Sequence, residues 1–144
     1  MNAKTYTELQ EKYRKEMNEF PIAYAFNQKQ LDEALEKLGA TIEECVTVWN
    51  IGDVIKKTDV PSFKAMLKRH NEEIQELLKD EKLAEEAFLY EMDNHEYAIN
   101  YDGDDDVLGV FDLTFEKLNE MGLKMAYMRA RKRHMDHARE WEMI

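Results

Sequence analysis

The stretch HEYAINYDGDDDVLGVFDL, residues 95–113, decides the fold. Its first seven residues, 95–101, combine aromatic and β-branched side chains and read as a strand. Asp102, Asp104, Asp105 and Asp106 follow within five residues and read as a solvated acidic loop. If residues 95–101 are a strand, they complete a sheet that the upstream chain has already begun.

Working outward, Tyr6, Leu9, Tyr13, Met17 and Phe20 recur at steps of three and four, the face of a helix over 5–19. Thr5 and Glu8 have the capping-box spacing at its start, and Pro21 closes it. FPIAYAF (20–26) reads as a strand. Asn27 caps a second helix striped by Leu31, Ala34, Leu35 and Leu38 and ended by Gly39. CVTVWN (45–50) and IGDVIKK (51–57) suggest a hairpin turning near Gly52 and Asp53. Thr58 is the expected cap of a third helix carrying Phe63, Met66, Leu67, His70, Ile74, Leu77 and Leu78. Asp80 starts a fourth. Downstream of the acidic loop, a short helix around 114–120 ends near Gly122, and a long one fills 123–142.

This order predicts an α+β fold in which helices cover a small antiparallel sheet of three to four strands. Its centre matches the βαββαβ sequence of ferredoxin-like folds, with extra N-terminal and long C-terminal helices. Residues 1–144 are expected to form a single domain. The lone cysteine, Cys45, excludes an internal disulfide and fits a reducing compartment, so a cytoplasmic location is expected. No run of 18 apolar residues is present, which argues against a membrane partner.

Charge is the strongest compositional signal. The chain holds 31 Asp/Glu against 20 Lys/Arg, a net charge of −11. Such a surface repels nucleic acid and attracts basic partners. The acidic stretch does not fit an EF-hand: counted from Asp102, position 6 is Val107 and position 12 is Leu113, where glycine and glutamate belong. It fits phosphate imitation better, a carboxylate array entering the basic groove of a nucleic-acid-binding protein. Asp102, Asp104, Asp105 and Asp106, with Glu72, Glu73 and Glu76, are the candidate binding residues. A solvated turn and a solvated helix face are the bland alternative.

Other groups carry weaker signals. His134 and His137 share a helix face at i, i+3, and Glu91 and His95 lie at i, i+4, but neither pair has a supporting zinc motif. A small metal-dependent enzyme would need these two helices to converge; no metal or cofactor is expected. RARKRH (129–134) is basic, yet direct nucleic-acid binding is not expected of so acidic a chain, and its cations suit pairing with the protein's own carboxylates. Met121, Met125, Met128 and Met135 form a stripe that serves either as core or as an adaptable seam for a partner or a second copy. There is no P-loop, GxSxG, GxGxxG or HExxH.

The segments AFNQKQLDEALEKLG (25–39) and AFLYEMDNHEYAINYD (87–102), with the VIKKTDVPSF junction between them, resemble a family of small acidic uncharacterised proteins carried by phages and mobile elements of Gram-positive bacteria. The resemblance covers residues 22–113 and implies no catalytic residue. What it implies is context: such proteins often act by binding a host or defence protein, as anti-restriction and anti-CRISPR proteins do. The expected function is therefore a non-catalytic, acidic, DNA-mimicking inhibitor of a host nucleic-acid-binding protein. A helix-mediated homo-oligomer is the alternative.

Overall fold

The computed structural model describes residues 5–100 and 102–142. Its helices are α1 (Tyr6–Glu19), α2 (Gln28–Leu38), α3 (Val60–Leu77), α4 (Glu81–Asn94), α5 (Gly103–Val110), α6 (Phe115–Glu120) and α7 (Lys124–Glu140). Its strands are β1 (Ile22–Tyr24), β2 (Cys45–Val46) and β3 (Asp53–Lys56). The class is α+β, as the sequence predicts. The sheet is antiparallel, in the order β1-β3-β2, with Ala23 opposite Val54 and Val46 opposite Ile55.

The chain divides into two compact units, one of residues 13–70 and one of residues 1–12 with 71–144. In the first, α2 lays Ala34 and Leu38 on Ala23 and Val54. Ile22 and Ile55 point to the opposite sheet face and pack with Phe63, Met17 and Phe20. The alternation of Ile22 and Ala23 between two covered faces is the strand period of two at work. Tyr13 stacks on His70 at 3.9 Å between ring centroids, and Glu16 bonds both His70 and Arg69.

In the second unit α4 packs along α7. Small residues allow the approach: Ala84 and Ala87 on one helix, Ala126, Ala130 and Ala138 on the other, are all buried. An aromatic group of Tyr6, Phe88, Phe111 and Tyr127 fills the remaining core with ring separations of 5.3–5.4 Å.

The caps follow the sequence closely. Thr5 Oγ1, Asn27 Oδ1, Asp80 Oδ1 and Thr114 Oγ1 each accept an N–H from the residue three positions on. One cap differs: α3 starts at Val60, after a 3-10 turn at Lys57–Asp59, so Thr58 lies outside it.

The opening stretch departs from expectation. Residues 95–100 do not form a strand, and Tyr101 lies outside the described residues. His95 N–H still bonds Glu91 O at 2.9 Å, Glu96 turns left-handed at φ 52°, and Tyr97–Ile99 is a 3-10 turn. The Ala98 N–H, which a strand would need for its ladder, goes to His134 Nε2 at 2.9 Å. Among the described residues the sheet therefore stops at three strands, and the ferredoxin-like order ends at βαββ. The acidic residues are not a loop either: Asp104, Asp105 and Asp106 occupy the first turn of α5. Carboxylates suit the positive end of a helix dipole, so three consecutive acids are well placed in this first turn. The predicted hairpin is also shorter, with β2 reduced to Cys45–Val46.

Candidate functional site

The candidate carboxylates separate into bound and outward groups. Asp104 is half-buried, and its Oδ1 accepts the hydroxyls of Tyr97 at 2.7 Å and of Tyr127 at 2.5 Å. Gly103 makes this contact reachable, because a Cβ there would stand 2.8 Å from the Tyr97 ring. Burial pushes the Tyr127 phenol well above its usual range, and the Asp104 carboxylate beside it adds to the shift. Asp106 takes a bond of 2.7 Å from Asn100 Nδ2, and Asn100 Oδ1 receives the Asp102 N–H at 3.0 Å. Asp104 and Asp106 thus fasten the start of α5; Asp104 is half-buried, whereas Asp102, Asp105 and Asp106 are exposed.

The α3 glutamates form a separate group. Glu73 pairs with Lys12 at 3.2 Å and Glu76 with Lys79 at 2.9 Å, while Glu72 is exposed. Gln75, on the same helix, bonds Phe111 O at 2.8 Å, just beyond the C-terminal end of α5. The aspartates sit at the opposite end of α5, about 10 Å away at helical rise. The two acidic groups do not merge into one cluster.

The basic run of α7 is committed internally. Arg129 bonds Glu81 at 2.7 Å and Glu85 at 2.5 Å, and Arg133 bonds Glu85 at 3.0 Å and Glu86 at 2.6 Å. Burial works to raise the Glu85 carboxyl, but the two guanidiniums outweigh it and hold it below the usual range. For Arg129 and Arg133 these contacts are the internal pairing that the sequence suggests; Arg131 instead donates to the Tyr97 hydroxyl.

The histidines of α7 converge on a residue the sequence reading overlooked, Asp93 of α4. His134 Nδ1 lies 2.7 Å from Asp93 Oδ1, and His137 Nδ1 lies 3.1 Å from Oδ2. Since Ala98 N–H donates to His134 Nε2, that nitrogen keeps its lone pair and the proton sits on Nδ1. Both ring nitrogens of fully buried His134 are used within the protein. Glu91 accepts the Tyr6 hydroxyl at 2.5 Å and has His95 Nε2 at 3.3 Å, a buried helix-end arrangement. Among the described residues no three His, Cys, Asp or Glu side chains are grouped to hold a metal ion. Asp93 carries no local sequence mark; its role depends on α4 packing along α7, which brings the two histidines to it.

The methionines do not all lie inside. Met121 follows α6 rather than joining α7, and it is 40% exposed; Met125 and Met128 are 63% and 43% exposed. Met135 is half-buried. Trp141, which follows α7, is exposed as well.

Charge is distributed as unevenly as the contacts. The unit of residues 13–70 carries nine Lys/Arg and nine Asp/Glu, whereas the other carries eleven against twenty-two. The whole net charge of the protein resides in the second unit.

These features define a mainly helical α+β protein with a minimal sheet and a strongly acidic helical unit. The chain belongs to the DUF7659 family, a family of unknown function, whose model matches residues 5–133. No curated protein and no solved structure matches it. Among the described residues no helix is long and apolar enough to cross a membrane.

Proposed function

We propose that this protein is a non-catalytic interaction module that offers its acidic unit to a basic, nucleic-acid-binding protein. The observation that carries this reading is the segregation of charge: one unit holds the entire surplus of carboxylates, and its two best-placed arginines are already spent on Glu81, Glu85 and Glu86. A face so unbalanced attracts cationic surfaces over long range and rejects nucleic acid itself. Within it, Asp102, just before α5, and Asp105, in its first turn, are exposed carboxylates that stand in for backbone phosphates. The resemblance to proteins of phages and mobile elements supports an inhibitor of the anti-restriction or anti-CRISPR type, acting in the cytoplasm.

The test immobilises the full chain and challenges it with bacterial lysate at low and high salt. A nucleic-acid-binding protein should be retained at low salt, released at high salt and displaced by duplex DNA. The Asp102→Lys/Asp105→Lys variant should lose it. Retention of the same partner by that variant, with the same salt dependence, would remove this face from the proposal.

A second reading is favoured by the exposed Met125 and Met128, one helical step of three apart on α7. It makes this face the seam of a homodimer. Met125→Lys/Met128→Lys should then sediment as a monomer where the parent is a dimer; a monomeric parent dismisses the seam.

A further inference from the structure

The outer edge of β1 has chemistry that the acidic face does not use. In an antiparallel pair, backbone groups alternate between the partner strand and the free side. Ala25 N–H bonds Gly52 O at 2.8 Å, and Ala23 lies opposite Val54, so these alternate residues face β3. Ile22 and Tyr24 then face outward. The Ile22 N–H is taken by Phe20 O at 2.8 Å. The Tyr24 N–H and C=O and the Ile22 C=O remain, and no described residue supplies their partners.

This edge opens into a groove of about 560 Å³. One wall is the end of α1, with Met17 and Asn18; the other is α2, with Glu33 and Lys37. Tyr24 and Phe26 border it, and they are 45% and 75% exposed. Phe26 is held against Gly52, where a Cβ would stand 2.8 Å from its ring. Three unpaired backbone groups on a strand edge, a groove along it and two outward aromatics together favour an extended backbone as the occupant.

We infer that this groove binds an extended segment of another protein by strand addition to β1. The segment accepts the Tyr24 N–H and donates to the Tyr24 and Ile22 carbonyls, and an apolar side chain sits beside Met17 and Phe26. A second copy of this chain is a poorer occupant. Its own β1 lies between the same two helices, so two such edges meet helix against helix before they can pair. A flexible segment enters without that obstacle. The groove belongs to the unit with balanced charge, so its binding is separate from the salt-sensitive binding proposed above.

The experiment pans a random dodecapeptide library on phage against the full chain, then follows the enriched peptides by amide hydrogen exchange and titration. Enriched peptides should slow exchange at the Tyr24 amide and bind equally at low and high salt. Tyr24→Pro removes the outward donor at an edge position where proline is tolerated, and should weaken binding about tenfold or more while the fold is kept. If Tyr24→Pro does not fold, Phe26→Ser is the second variant, and exchange at Tyr24 in the parent decides. Failure to enrich any peptide overturns the inference, as does peptide binding that leaves the Tyr24 amide unchanged. Slow exchange at Tyr24 without peptide, together with a doubled mass, overturns it in favour of a second copy.

Discussion

Single carboxylates in this protein do opposite things. Asp53 is 3% exposed, and it accepts the Thr47 hydroxyl at 2.6 Å and the N–H groups of Val48, Trp49 and Ile51 at 2.7–3.2 Å. Burial alone would raise its carboxyl, but these four donors outweigh it and hold it far below the usual range. A depressed folded value adds stability above the unfolded value, near 3.9, and loses it as pH falls further. Asp53→Asn should therefore cost roughly 2 kcal/mol at neutral pH, and the cost should shrink below about pH 4. Urea titration of Trp49 fluorescence in a Trp141→Phe background measures this; a cost unchanged down to the acid limit would contradict it. Asp104 is structural by the same logic. Tyr127→Phe should lose about 1 kcal/mol by removing one of two phenol donors, and Asp104→Lys considerably more, whereas Asp105→Lys should leave the melting temperature nearly unchanged.

At the scale of elements, α4 and α7 are held by close small-residue packing and by a shared carboxylate. Glu85 receives both Arg129 and Arg133, so the two arginines are not independent. Each is more than 40% exposed, which limits a single truncation to about 1 kcal/mol or less. Arg129→Ala and Arg133→Ala together should cost more than their sum, because Glu85 is then left with no cation while only 17% exposed. A double-mutant cycle by denaturant unfolding reads the coupling; strict additivity would mean that the pairs act separately. Replacing Gly103 by alanine should also destabilise α5, since the new methyl group meets the Tyr97 ring that Asp104 holds.

At the scale of the whole molecule, a net charge of −11 confined to one unit makes self-repulsion a property of that unit. Raising ionic strength shortens the Debye length from about 30 Å at 0.01 M to about 3 Å at 1 M. Amides of α4 and α7 should therefore exchange more slowly in high salt, while those of α2 and β3, in the balanced unit, should change little. Hydrogen exchange resolved by residue checks both halves. A uniform response would show that the charge asymmetry does not govern stability.

The sequence by itself determined the elements that local chemistry specifies: the amphipathic stripes, the caps at Thr5, Asn27 and Asp80, and the first three strands in outline. It also determined the charge, and the pairing partners of RARKRH in kind. Tertiary structure alone decided the rest. HEYAINY has the composition of a strand, but a strand needs a neighbour for its ladder, and His134, more than thirty residues away in sequence, takes the Ala98 N–H instead. Whether an aspartate faces a partner or two tyrosines is likewise invisible in a run of identical residues. Asp104 and Asp105 differ only in which side of α5 they occupy, and that is fixed by where Tyr97 and Tyr127 are brought to meet.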